Sequence, residues 1–275
     1  MVKKIAVIND LSGFGRCSLT AALPVISAIG IEACPLPTAI LSNQTGYPSF
    51  FCTDYTENLY SYINEWRKLG VKFDGILTGY LTSAKQAEII YDFVEEFADV
   101  NTLVFVDPVM ADDGVLYDTY DSNLCKKVKK LTEKANIIAP NLTELCILCD
   151  ADYEKVTHEN SIQKTSEIAA SLLTDTLKTV IVTGVKIDDE IHNIIVDKSG
   201  KTVVKSKLIE GSYSGTGDLF SSIVCAEIVK GKSVLQAVNI ATVFLQKSIE
   251  DTYKENTDRN NGVNFQQHLE VLIYE

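Results

Sequence analysis

From Lys4 onward the chain alternates short β-branched runs with longer amphipathic stretches, and few architectures satisfy that alternation. KIAVIN (Lys4 to Asn9) leads into a helical pattern from about Arg16 to Ile29, and EACPLPTAIL into one from Glu57 to Leu69. DGILTGYL is followed by Lys85 to Phe97, TLVFVDP by Leu124 to Lys134, and NIIAP by Asn141 to Leu148. KTVIVTG is the last strong strand; IHNIIVD and KTVVKSKLI then read as a hairpin around Lys198, Ser199 and Gly200, and helices over Leu219 to Val229 and Val234 to Ile249 close the unit. Strands apolar on both faces and separated by helices predict a mostly parallel sheet covered on both sides.

The 275 residues, 46% apolar and 23% charged, contain no Pro/Gly/Ser-rich linker or repeat, so a single domain over 1–275 is expected. A formal charge of −12 argues against a nucleic-acid surface, which needs clustered Lys and Arg. The one lysine cluster, Lys126, Lys127, Lys129 and Lys130, alternates with Leu124, Val128 and Leu131 as a solvated helix face would. Ile5 to Ile8 is too short an apolar run for a signal peptide or a membrane span, so a cytoplasmic protein without membrane contact is expected. Seven cysteines fit scattered reduced thiols, and Cys146 and Cys149 of NLTELCILCD share a helical apolar pattern without a second ligand pair. His158, His192 and His268 sit in polar or terminal contexts, which leaves little support for Ser-His-Asp or His-metal chemistry.

Ligands of such sheets bind beyond the carboxyl ends of the strands. Asn9 and Asp10, Thr45, Tyr80, Asp107, Asn141 and Thr183 each follow a strand closely and become candidates. Two Gly-rich elements compete for an anion. SGFGRCS (Ser12 to Ser18) imitates a dinucleotide fingerprint, but the acid it requires is at best Glu32, near the start of the second strand and out of reach of a ribose. A Walker lysine motif does not occur anywhere in the chain. The second element, SGTGD, runs Gly215, Thr216 and Gly217 into Asp218 at a helix start. Alone it reads as an N-capped helix after a tight turn. Phosphoryl transfer to an alcohol, however, needs N–H donors for the equatorial oxygens and a base for the hydroxyl proton side by side. Gly215, Thr216 and Gly217 would supply the first, and Asp218 the second.

Asn141 and Glu144 form N-x-x-E at another strand-to-helix junction, either a helix cap or an Asn and a Glu that hold magnesium, directly or through water. Asp107 ends a strand, and Asp112 follows in MADDGVLYD, with Gly114 as a candidate hinge of a loop that closes over the site.

VDPVMADDG, APNLTE, VIVTG and SGTGD, in that order and spacing, resemble the ribokinase-like superfamily, in its vitamin-kinase branch of pyridoxal and hydroxymethylpyrimidine kinases, over about residues 3–250. Within that branch PLPTAILSNQTGY and LTGYL are similar to the pyridoxal kinases. The resemblance implies a three-layer α/β/α sandwich with a mostly parallel central sheet and no separate lid domain. It implies ATP-dependent phosphorylation of the 5′-hydroxymethyl group of pyridoxal, pyridoxine and pyridoxamine, with Asp218 as general base and Gly215, Thr216 and Gly217 as the anion hole. Thr45 and Tyr80 would contact the pyridine ring. Asp107, Asp112, Asn141, Glu144 and Thr183 would serve ATP and Mg2+, with Asp107 and Glu144 nearest the metal, in part through water, and Tyr117 in the flap. Members are typically homodimers. Whether a monovalent cation (K+) takes part stays open at this point.

Two positions depart from the pattern. Asp10 stands where many pyridoxal kinases carry Ser, and an acid there could pair with a protonated ring nitrogen of either vitamin. Gln44 stands where a His is usual, and the sequence offers no physical account of the exchange. A hydroxymethylpyrimidine (phosphate) kinase of the same fold is therefore the nearest alternative, with an NAD-dependent oxidoreductase using SGFGRCS more distant. The polar run Asp251 to Asn264 reads as a surface loop before a short C-terminal helix.

Overall fold

The structure is a computed structural model that describes residues 2–159 and 162–273. The elements in chain order are β1 (Lys4–Ser12), α1 (Ser18–Ile29), β2 (Glu32–Leu41), β3 (Cys52–Asp54), α2 (Thr56–Leu69), β4 (Gly75–Thr78), α3 (Ala84–Phe97) and β5 (Leu103–Val106). There follow β6 (Ala111–Asp112), β7 (Val115–Leu116), α4 (Ser122–Thr132), β8 (Ile137–Ile138), α5 (Leu142–Leu148), α6 (Tyr153–Glu159) and α7 (Ile162–Ala170). The last are β9 (Thr179–Ile187), β10 (Glu190–Asp197), β11 (Gly200–Lys207), α8 (Thr216–Lys230), α9 (Val234–Lys254) and α10 (Glu270–Ile273).

One nine-stranded sheet runs in the order β11-β10-β9-β8-β5-β4-β1-β2-β3. Its six central strands, β2 to β9 in that order, pair in parallel; β3, β10 and β11 join antiparallel at the two edges. The predicted alternation is thus realised as a three-layer α/β/α sandwich. Side chains of β1 show why both faces must be covered: Ile5 and Val7 pack with α1, α8 and α9, whereas Ala6 and Ile8 pack with α2, α3 and α4. Each face is a continuous buried apolar layer, which fixes the register of every central strand.

The chain leaves β1 for β2 on one side and returns to β4 on the other. Right-handed crossovers then put α1 and α3 on opposite faces, and the strand order reverses at β1 and β4. A crevice opens at the carboxyl ends of strands at such a point. Asn9 and Asp10 end β1 there, Gly79 and Tyr80 follow β4, and Asp107 follows β5.

Several elements differ from the sequence reading. The loop expected to hinge at Gly114 is a small hairpin, β6–β7, whose turn residues Asp113 and Gly114 both have positive φ (46° and 81°) as a primed hairpin turn requires. Residues 153–159 and 162–170 form α6 and α7, which the polarity of that stretch concealed. Helix α1 starts at Ser18 rather than Arg16, and α9 extends through Lys254 into the polar run. Among the described residues no helix is long and apolar enough to cross a membrane.

Candidate active site

Helix α8 begins at the turn that the sequence singled out. Its N-cap is Gly215, in the left-handed region at φ 82°, and a Cβ there would lie 2.0 Å from the Arg16 carbonyl oxygen, so only glycine fits. Glycine brings no capping side chain, and the N–H groups of Thr216 and Gly217, at the first turn of a 15-residue helix, have no intrahelical acceptor. With the positive end of the helix dipole behind them they can receive an anion. The Gly217 backbone is exposed to solvent.

Asp218 is half-buried beside these amides. Its Oδ1 accepts from Asn9 Nδ2 at 2.8 Å and its Oδ2 from the Ser18 N–H at 2.8 Å, so the carboxylate is fixed from β1 and from the start of α1. Burial pushes its pKa up, and the two hydrogen bonds hold it down in part. A raised pKa makes such a carboxylate a stronger base than a solvated aspartate.

Asn9 is itself constrained, because its Oδ1 accepts from the N–H groups of Asp10 and Tyr80 at 3.0 and 2.9 Å. Gly79 is required beside it: a Cβ at Gly79 would sit 2.5 Å from Asn9 Nδ2. The register of β1 against β2 shifts between Asn9 and Leu11, where Thr38 and Ala39 together face Asp10. Asp10 accepts from Ser18 Oγ at 2.6 Å and from Ser12 Oγ at 2.9 Å. Ser18 thus joins the two acids, and it does so at φ 50°, a strained value held by both bonds. Burial and the nearby Asp218 carboxylate, opposed by the two serine hydroxyls, push Asp10 up to about 6.

On the other side of Asp218 lies Asp107, buried at 9% exposure and held by Ser221 Oγ at 2.7 Å. Burial and the facing Asp218 raise its pKa. Glu144, 4% exposed, is raised well above the usual range by burial and by Asp107. Asn141 and Glu144 form a complete capping box, Glu144 N–H to Asn141 Oδ1 and Asn141 N–H to Glu144 Oε2, each 2.9 Å. Glu144 Oε1 also accepts from the Met110 N–H at 3.0 Å, and Asn141 Nδ2 donates to the Ala111 carbonyl at 2.7 Å. These residues therefore tie α5 to the base of the β6–β7 hairpin. Thr143 Oγ1 accepts from the Gly114 N–H at 2.9 Å and holds the hairpin tip. Thr183 ends the central part of β9 beside Asn141, its N–H donating to the Pro140 carbonyl at 2.9 Å.

Tyr117 leaves the hairpin facing the acids, and burial together with Glu144, Asp112, Asp107 and Asp218 raises its phenol. Asp112 is exposed on the hairpin, its carboxyl raised by burial and by Asp113. Burial and Asp10 raise the Tyr80 phenol, opposed by a hydrogen bond with Thr119. The Tyr80, Tyr120 and Tyr117 rings follow one another at centroid distances of 5.9 and 6.4 Å. Thr45 is exposed in the loop after β2. The predicted residues thus gather around Asp218: Asp10 reaches it through Ser18 and Tyr80 through Asn9, while Asp107, Asp112, Tyr117 and Glu144 interact electrostatically, with Asn141 and Thr183 beside Glu144.

A divalent cation is the obvious complement to buried acids that lack a lysine or arginine partner. Among the described residues no three His, Cys, Asp or Glu are grouped to hold a metal ion. Mg2+ nonetheless fits, since it keeps most of its waters and takes one or two carboxylates plus phosphate oxygens. Asp107 offers a free Oδ1, whereas both Glu144 oxygens already accept backbone N–H bonds and would act through water.

The first Gly-rich element has a different use. A Cβ at Gly13 would lie 3.1 Å from the Ser42 carbonyl oxygen, and one at Gly15 2.9 Å from Gln44 Cγ, so these glycines admit the loop after β2 rather than a pyrophosphate. Sequence reasoning also missed Ser18, Ser12, Ser221 and Arg16. Ser221 was legible in principle, three residues after Asp218 on one helix face. Nothing local marks the others. The cysteines are free thiols, and His192 and His268 pair with Glu190 and Asp251, both at 3.0 Å, away from the acids; the side chain of His158 lies outside the described set.

Unpaired amides beside a fixed carboxylate are an arrangement that suits transfer of a phosphoryl group to an alcohol, and with this ribokinase-like fold they point to the class of ATP-dependent small-molecule kinases. The chain belongs to the phosphomethylpyrimidine kinase family, whose sequence profile matches residues 17–264. A protein of Bacteroides thetaiotaomicron VPI-5482, described as a phosphomethylpyrimidine kinase and crystallised with pyridoxal, is 36% identical with a TM-score of 0.88, over 99% of this chain and 96% of that one. Pyridoxal kinase from Lactobacillus plantarum superposes with a TM-score of 0.91 at 26% identity, over 100% of this chain and 98% of that one. The pyridoxine/pyridoxal/pyridoxamine kinase of Bordetella avium (strain 197N) is 27% identical over 250 residues, 87% of this chain and 82% of that protein.

Proposed function

We propose that this protein transfers the γ-phosphoryl group of ATP to the 5′-hydroxymethyl group of pyridoxal, pyridoxine and pyridoxamine. The observation that carries the reading is Asp218 in the first turn of α8, next to unpaired amides and held at both oxygens by Asn9 and Ser18. In this reading the vitamin lies toward Asp10, Tyr80 and Thr45, and the nucleotide toward Asp107, Asp112, Tyr117, Asn141, Glu144 and Thr183. Asp218 accepts the hydroxyl proton as the oxygen attacks the γ-phosphorus, the bond to the β-phosphate oxygen breaks, and ADP leaves. The amides of Gly215, Thr216 and Gly217 stabilise the charge on the transferring group. Mg2+, held by Asp107 and through water by Glu144, would neutralise the phosphate oxygens when bound, with a monovalent cation such as K+ as a further charge-balancing partner. The family relatives named above support the vitamin as acceptor.

Hydroxymethylpyrimidine is the second reading, favoured by the family profile itself. An ADP-coupled assay run side by side on pyridoxal and the pyrimidine alcohol separates the two. The expected result is preferred turnover of the pyridine; preference for the pyrimidine would overturn the assignment. Asp218→Asn should lower kcat by about 10²- to 10⁴-fold with ATP affinity little changed, and near wild-type kcat would remove Asp218 from the role of base. The same reading makes the protein a cytoplasmic homodimer, which light scattering on the purified protein tests for assembly.

A further inference from the structure

The segment Asp258 to Gly262 crosses three loops of the site. Arg16 donates its backbone N–H to the Asn261 carbonyl at 3.1 Å and its guanidinium to the Asn261 and Gly262 carbonyls at 3.1 and 3.0 Å. Ser214, directly before the anion-hole turn, donates its N–H to the Arg259 carbonyl at 3.2 Å. The third attachment is to the loop after β2. Gln44 Nε2 donates to both the backbone carbonyl and the side-chain Oδ1 of Asn260, at 3.2 and 3.0 Å, while Gln44 Oε1 accepts from the Gly46 N–H at 2.7 Å. Tyr47 Oη donates to Asn261 Oδ1.

Gln44 is 8% exposed, so these bonds are shielded from competing water. Its surroundings are cut to fit: a Cβ at Gly15 would lie 2.9 Å from Gln44 Cγ and 3.1 Å from the Asn260 carbonyl oxygen, and one at Gly46 would lie 2.5 Å from Asn260 Oδ1. Asp258 Oδ1 accepts from the Asn260 N–H at 2.8 Å and sets the short 3-10 turn that presents Asn260.

We infer that Gln44 and Asn260 are positioning residues for the acceptor substrate: their bond latches the loop carrying Thr45 to a brace that also holds the anion-hole turn. This rests on the assignment of that loop to the acceptor end of the cleft. The loop follows β2 on the carboxyl rim, next to the end of β1 that carries Asp10. Without the latch, residues 42–47 keep the Gln44 N–H to the Phe14 carbonyl, the Tyr47 bond to Asn261 and the Ser42 bonds to Phe51, but the rim beside Asp10 loses its buried side-chain tie to Asn260.

The test uses the full-length protein and four variants. Gln44→Ala, Gln44→Glu and Asn260→Ala each remove a donor or acceptor of the bond, and each should raise the KM for pyridoxal about tenfold, as expected for losing a shielded hydrogen-bonded pair, with the KM for ATP within about twofold of wild type. Asn260→Asp keeps the acceptor and should retain the wild-type KM. Hydrogen exchange on the substrate-free protein should show faster exchange at Gln44, Gly46 and Tyr47 in the first three variants alone. A KM for pyridoxal unchanged in all of them, equal effects on both substrates, or Asn260→Asp behaving like Asn260→Ala would overturn the inference. Absence of turnover by wild type on every vitamin alcohol would instead sink the proposed function, and slow exchange in Gln44→Ala would then sink the latch on its own.

Discussion

Asn9 Nδ2 lies 2.8 Å from Asp218 Oδ1, joining the end of the first strand to a helix that begins more than two hundred residues later. That bond favours the ionised carboxylate, against the burial that raises its pKa. Asn9→Ala should therefore raise the Asp218 pKa further and move the acidic limb of the kcat profile to higher pH. Loss of a hydrogen bond to a charged group should also lower kcat about tenfold at neutral pH. A pH–rate profile checks both; an unmoved limb would leave Asn9 with a role in folding only.

The two glycines of the proposed anion hole should fail in different ways. Gly215→Ala forces a Cβ against the Arg16 carbonyl oxygen in a left-handed conformation, a combination expected to cost at least about 3 kcal/mol and to be visible as a large drop in Tm. At Gly217 the nearest atom to an added Cβ is Asp107 Oδ2 at 3.9 Å, which is ordinary contact. Gly217→Ala should keep the wild-type Tm, yet a methyl group at the exposed amide should lower kcat/KM for ATP by about tenfold.

Asp10 carries a pH signature of its own. Its folded-state pKa of about 6 lies above the 3.8 of an unperturbed carboxyl, so the folded protein holds this proton more tightly than the unfolded chain. The stability that protonation contributes is fully present below pH 3.8 and is lost as pH rises through 6. Asp10→Asn should be more stable than wild type above pH 6, by on the order of 1–3 kcal/mol, and the difference should vanish toward pH 4. Thermal melts across that range decide it, and a pH-independent difference would mean that Asp10 is not the titrating group.

Glu144 closes the junction between α5 and the β6–β7 hairpin, and the proposed function gives it a second task, holding water on Mg2+. Glu144→Gln loses one backbone acceptor, which should lower stability by about 1–2 kcal/mol. It should also raise the Mg2+ concentration for half-maximal rate several-fold. A lower Tm with an unchanged Mg2+ requirement would confine Glu144 to the junction.

The three-layer sandwich, the ends of most central strands and the turn at Gly215 to Asp218 were legible in the chain because each is a local pattern. Strands apolar on both faces read as buried parallel strands, and a Gly-rich turn before an amphipathic run reads as an open helix start. The N-x-x-E of Asn141 and Glu144 was equally readable as a cap or a metal site, and the folded chain shows the cap complete, with both Glu144 oxygens taken by backbone N–H groups.

Other features depend on which distant segments meet. SGFGRCS looks like a phosphate loop to any local reading, but Gly13 and Gly15 are small because the loop after β2 lies against them. Gln44 acquires a reason only when Asn260 arrives from the polar run after α9, a stretch with no pattern of its own. Periodicity and turn chemistry act between residues a few positions apart, so sequence alone determined the layers, the crevice and the helix that opens onto it. The partners of Asp218, Asp10 and Gln44 are chosen by packing across the sheet's carboxyl rim, and only the folded chain decides which atoms come within hydrogen-bonding distance there.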